Sequence, residues 1–97
     1  MHITSKQAIQ LSILFNINLS TNVLSFNDWK YALNVELEHG SKCGKLTNIT
    51  NDNLITTAKI VIAHLLEFPD YYKRLRIMET NAEKYWMTKT KPNIFSK

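Results

Sequence analysis

Breakers are scarce in this chain. Its 97 residues hold two glycines and two prolines. A sandwich or barrel of many short strands would need more turns than these supply, so the scarcity favours long helices. Gly40 and Gly44 are too few to write a phosphate-cradling loop or a hydrolase nucleophile elbow. A single cysteine, Cys43, forms no internal disulfide and fits a reducing compartment. Long apolar runs are missing too. Residues 8–19, AIQLSILFNINL, are broken by Gln10, Ser12, Asn16 and Asn18. They are too short to span a bilayer, and no small-residue cleavage site follows. The expectation is an intracellular chain with no membrane partner and no secretion, and the Asn18 and Asn48 glycosylation patterns then carry no meaning. Charge of one sign is not in great excess. Twelve basic against eight acidic residues leave +4 and a pI near 9.3. That is compatible with an anionic neighbour, but no groove-reading motif accompanies Lys73, Arg74 and Arg76, so nucleic acid is not the expected partner.

What is present is enough apolar material for one core. Hydrophobic residues make up 44% of the chain, too many for a disordered segment, and the length suits one domain. Four helical segments can be placed. The first covers about residues 5–16, capped by Thr4 or Ser5, with Ile9, Ile13, Leu14 and Ile17 as its stripe. The turn-rich NINLSTN over 16–22 ends it. The second runs from about 26 to 39. Ser25 caps it, Asp28 complements its positive end, and Phe26, Trp29, Leu33 and Leu37 form one face. Gly40 stands where a helix-ending glycine belongs. After the loop 40–51, Thr50 or Asn51 caps a third helix that runs to about 67. Its stripe is Leu54, Ala58, Val61, Leu65 and Phe68, and Pro69 stops it. Pro69 and Asp70 open a fourth helix with the stripe Tyr71, Leu75, Met78, Ala82 and Tyr85, up to Trp86. These place the chain among all-α folds, as a small bundle of three to four helices. Residues 1–88 form one helical domain, and 89–97 are a basic C-terminal tail.

Two stretches carry chemistry. In VELEHG, Glu36 stands three residues before His39, and in AHLLEFPDYY, His64 stands three before Glu67. With Phe26 at zero on a helical wheel, Glu36 falls at about −80° and His39 at about −140°. With Leu54 at zero, His64 and Glu67 fall at about the same two angles. Both pairs therefore flank their apolar stripes on the same side, with Glu and His exchanged. A carboxylate and an imidazole three apart on a helix can grip one ion, and bundle di-iron proteins use such pairs. The donors would suit iron, manganese or zinc, with Glu38 and Glu79 as spare carboxylates. Against this, a simple hairpin of the second and third helices sets His39 roughly 18 Å from His64. Only a connection running back that far, or a dimer, would close the gap. The competing reading is a structural network, with His39 and His64 hydrogen-bonded to Glu38, Glu67 or a helix-end carbonyl.

Lesser candidates are Cys43, beside Lys42 and Lys45, and the aromatic pairs Tyr71–Tyr72 and Tyr85–Trp86. A loop thiol without an adjacent histidine and aromatics at core spacing are the plainer readings of both.

The segments FNDWKYALNVELEHG and LTNITNDNLITTAKIVIAHLLEFPDYYKRLRIMETNAE resemble a family of small uncharacterised helical domains of bacteria, phages and large DNA viruses. Its members look like a Phe-led helix ending in ELEHG, a T-N-[VI]-T turn, a helix ending in HL-x-E-x-PDYY, and then L-x-x-ME. The resemblance covers about residues 26–83. It matches Glu36, Glu38, His39, Gly40, Thr50, Asp52, His64, Glu67, Pro69, Asp70, Tyr71, Tyr72 and Glu79. The chain departs from it where a glycine often stands, at Ala32 or Leu33, and in its more basic loop. No activity comes with the resemblance. Heavy use of Asn and Ile fits an AT-rich, viral member, set in the host cytoplasm or the virion.

The reading is thus a small helical structural or protein-interaction module, whose partner is another protein or a second copy of the chain, rather than an enzyme. No cofactor is required by it. The alternative is a metal-binding helical protein that holds Fe, Mn or Zn through Glu36, His39, His64 and Glu67.

Overall fold

The computed structural model describes residues 2–20, 24–38 and 53–94. It shows four helices: α1 (Ser5–Leu14), α2 (Phe26–Leu37), α3 (Leu54–Glu67) and α4 (Tyr71–Trp86). No strand occurs among the described residues. The all-α bundle expected from the spacing is the fold. His39 to Asp52, with Gly40, Cys43 and the expected caps Thr50 and Asn51, lie outside the described residues, as does Phe95.

The helix ends follow local chemistry. Thr4 and Gln7 form a reciprocal capping box at α1, and Ser25 and Asp28 form another at α2. α1 stops in a Schellman turn. Ile17 N–H reaches Ser12 O at 2.8 Å, Asn16 N–H reaches Ile13 O at 3.2 Å, and Asn16 takes the left-handed φ of 55°. α3 is capped by Asn53, whose side chain accepts from Thr56 N–H at 2.9 Å. The cap is therefore Asn53 and not Thr50 or Asn51. Phe68 is extended, at φ −139° and ψ 118°, as the residue before a proline must be. Pro69 and Asp70 form the turn ahead of α4 instead of its first turn, and Tyr71 N–H closes that turn on Phe68 O at 3.0 Å.

α2 is the hub. Of the face read from spacing, Trp29, Leu33 and Leu37 are buried and Phe26 is half-buried against them; Ala32, outside that face, is buried with them. The α1 stripe is corrected. Ile9, Ile13 and Leu14 are exposed, Ile17 alone of the expected stripe packs on the core, and Ala8, Leu11 and Ser12 face inward. Ala8 is buried because Trp29 donates its indole N–H to Ala8 O at 2.9 Å, an approach that a bulkier side chain at position 8 would obstruct. Ile3, ahead of α1, is 1% exposed. Asn34 holds it there, accepting from Ile3 N–H at 2.8 Å and donating to Ile3 O at 3.4 Å.

These contacts set directions. Ile3 meets Asn34, Ser5 meets Lys30 and Ala8 meets Trp29, so α1 runs against α2. α3 begins where α1 ends, since Leu11 and Leu14 share a hollow with Leu54 and Ile55. It finishes where α2 finishes, with His64 against Glu36. α2 and α3 therefore run the same way and are not a hairpin. The intervening chain is long enough to travel the roughly 18 Å back along α2 at about 3.3 Å per residue.

α4 packs only through its beginning. Tyr72 is buried, Tyr71 and Leu75 are half-buried, and Arg76 lies 3.9 Å over the Tyr31 ring. Lys73 reaches Asp28 at 3.6 Å. Farther along, Met78, Ala82 and Tyr85 are exposed and Trp86 is half-buried away from the core, so the expected stripe meets the bundle through its first two members. Phe68, placed in the α3 stripe, is likewise 56% exposed.

Candidate functional site: a buried Glu–Tyr–His triangle

The parallel course of α2 and α3 puts their last turns side by side. Glu36, next to last in α2, is 4% exposed. His64 lies one turn before the end of α3. The Pro69–Asp70 turn then reverses the chain, so the first residues of α4 face back toward that same corner. Tyr72 is the residue that enters it.

Three atoms meet there. Tyr72 donates its hydroxyl to Glu36 Oε1 at 3.2 Å. His64 Nδ1 lies 3.0 Å from the Tyr72 hydroxyl and 3.4 Å from Glu36 Oε1. The imidazole is oriented from its face, since Tyr71 stacks on it with centroids 4.4 Å apart and planes at 3°. Tyr72 stands edge-on to both rings, at 6.0 Å from His64 and 4.9 Å from Tyr71. Burial, reinforced by the neighbouring Glu36 carboxylate, pushes the Tyr72 phenol well above the usual tyrosine range, so it keeps its proton. The corner is not sealed: the His64 side chain is 29% exposed against 5% for Glu36. Among the described residues, no buried side-chain polar atom is left without a partner.

Of the residues singled out from sequence, Glu36 and His64 are brought together. Glu67 is exposed at the end of α3 and stands outside the triangle. His39, Gly40 and Asp52 lie outside the described residues. Glu38, exposed, caps α2. Glu79 is half-buried on α4, where it lines a shallow hollow with Glu83, Trp86 and Lys91. Asp70 is taken by Arg74, whose Nε donates at 2.9 Å, and that hydrogen bond holds the carboxyl below its usual range. The partners expected for His64, namely Glu67, Glu38 or a helix-end carbonyl, are replaced by Glu36 and Tyr72. Sequence reasoning missed Tyr72 as the third corner. The available signal was PDYY: a proline-led reversal aims the first side chains of the next helix at the end of the one before.

Among the described residues, no group of three or more His, Cys, Asp or Glu side chains is placed to hold a metal ion. None of the described helices is long and apolar enough to cross a membrane.

No curated protein and no solved structure matches the chain. A family model does. It spans residues 8–81, from the alanine that receives Trp29 to the middle of α4, and takes in Glu36, His64 and Tyr72. The chain belongs to the family described as "Protein of unknown function (DUF5661)".

Proposed function

We propose that this chain is a small helical protein-interaction module, not an enzyme, and that it self-associates through the outer side of α4. The observation that carries this reading is the exposure of that helix beyond its first two turns. Ile77, Met78 and Tyr85 on α4 and Met87 at its C-cap are 56–78% exposed, and Phe68, just ahead of the helix, is 56% exposed. Met78 and Tyr85, within about 20° of each other around the helix, and Phe68 beside Met78 offer on the order of 400 Å² on one side, about half of the roughly 800 Å² per partner that a standard interface buries. A second copy is the favoured occupant because the charges beside these residues, Arg74, Glu79, Glu83 and Lys84, are of both signs. An isologous contact then brings no single-sign field onto itself, despite the net charge of +4. The Asn- and Ile-rich usage supports a viral setting, inside the host cell or the particle.

Light scattering on the full chain tests the proposal. A dimer that becomes monomeric in Met78→Asp and Tyr85→Asp, with the helical circular dichroism kept, supports it. A strict monomer at high concentration, or a dimer indifferent to both changes, overturns it.

A further inference from the structure

We propose that Glu36, His64 and Tyr72 form a binding site for one first-row transition-metal ion, with the phenol oxygen as the third protein ligand. The site is independent of the α4 surface and goes beyond the interaction role.

The geometry comes first. Glu36 Oε1, Tyr72 Oη and His64 Nδ1 mark a triangle with edges of 3.0, 3.2 and 3.4 Å. Ligands of a tetrahedral ion at about 2.0 Å are separated by about 3.3 Å, so an ion slightly off the plane of the triangle reaches all three without moving an element. The donors are one nitrogen and two oxygens, a set that suits zinc, iron or manganese. Tyr71, stacked on the His64 ring, fixes the plane of the imidazole. The His64 side chain is 29% exposed, so the corner is open to solvent on the imidazole side.

Charge is the second argument. Glu36 is a carboxylate at 4% exposure. Among the described residues, no lysine or arginine forms an ion pair with it: Lys73 goes to Asp28, Arg74 to Asp70, and Arg76 to the Tyr31 ring. Its partners among the described residues are Tyr72 and His64, and a buried carboxylate is costly unless it is well hydrogen-bonded, paired with a charge or coordinated to a metal. Hydrogen bonds alone satisfy the triangle in the metal-free protein, where Tyr72 keeps its proton. Coordination exchanges that proton for the ion. The His64 ring proton shifts from Nδ1 to Nε2, which frees the Nδ1 lone pair for the metal; the Tyr72 O–H bond breaks, the oxygen–metal bond forms, and that one proton leaves to solvent. Binding must therefore release a proton and weaken as pH falls.

The test uses the full chain, purified without a histidine tag and stripped with a chelator. It is titrated with Zn²⁺ in buffers of different ionisation enthalpy. The expected result is one ion per chain, a released proton, and a tyrosinate difference band in the ultraviolet spectrum of the unmodified protein. Tyr72→Phe and His64→Gln, each confirmed to be helical, should weaken binding at least ten-fold. No binding, binding without the tyrosinate band, or affinity unchanged in both variants would overturn the site and leave a hydrogen-bonded triangle only. The tyrosinate readout needs no variant, so it decides the matter even if one of them does not fold.

Discussion

Tyr72→Phe removes one oxygen and keeps the ring, so it isolates what the hydroxyl does in the metal-free fold. The ring stays buried against Tyr71 and His64, and the apolar area lost is negligible. What is lost is a hydrogen bond of 3.2 Å to a buried carboxylate and one of 3.0 Å to an imidazole. Hydrogen bonds to charged groups are worth about 1.5–3 kcal/mol, and an orphaned buried acceptor adds its own desolvation cost. His64 can turn its Nδ1 proton to Glu36 from 3.4 Å and recover part of this. The expected net loss is about 2 kcal/mol, or roughly 10 °C in melting temperature for a chain of this size. The partner change sharpens the test. In Tyr72→Phe with Glu36→Leu, the carboxylate that needed the hydroxyl is gone, so the double variant should be more stable than the sum of the single losses predicts, by at least about 1 kcal/mol. Chemical denaturation in the presence of a chelator measures all four corners of the cycle. Strict additivity, or a Tyr72→Phe variant as stable as the parent, would show that the triangle is incidental to packing and refute the reasoning.

Three further expectations follow from other parts of the fold. Because burial raises the Tyr72 phenol above its ordinary value near 10, its contribution is complete below pH 10 and is lost as pH rises further, while the unfolded chain ionises; stability should fall by about 1.4 kcal/mol per pH unit there from this group, and the slope should lessen in Tyr72→Phe when urea melts are run across alkaline pH. Trp29→Ala empties the fully buried centre of α2 and removes the bond to Ala8 O, and equilibrium unfolding should show a loss of about 3–5 kcal/mol, whereas a loss under 1 kcal/mol would mean that α1 and α2 are not joined there. Deleting residues 89–97 should leave the melting temperature nearly unchanged, because Ile94 is 83% exposed; a loss of several degrees in a thermal scan would show that the tail docks on the bundle.

The helices themselves were legible where one local signal was unopposed. Ser25 with Asp28, Phe68 before Pro69, and the Trp29–Leu33–Leu37 face each had no rival reading, and each is found. α1 failed for a physical reason. Apolar residues occupy both of its sides, and periodicity cannot choose between Ile9–Ile13 and Ala8–Leu11 when the decision rests on a tryptophan indole twenty-one residues away. α4 failed differently. Its stripe is genuine, but a stripe shows what a helix is able to bury and not what the body of the protein reaches. The triangle was half legible: wheel angles put Glu36 and His64 on matching flanks, and the hairpin assumption then drew them apart. The relative direction of two helices is set by the path of the chain between them, which leaves no mark in either helix.

Asn34 and Glu36 sit in the same turn of α2, and each holds a distant part of the chain. Asn34 binds Ile3 across 31 residues, and Glu36 binds Tyr72 across 36 in the other direction. Each closure costs about 3 kcal/mol of chain entropy by the ideal-loop relation, and neither can be repaid until that single turn exists. The expectation for folding is that the end of α2 forms early and then gathers the two flanks of the chain. Weakening it should act mainly on the folding rate, whereas weakening the outer half of α4 should leave that rate alone.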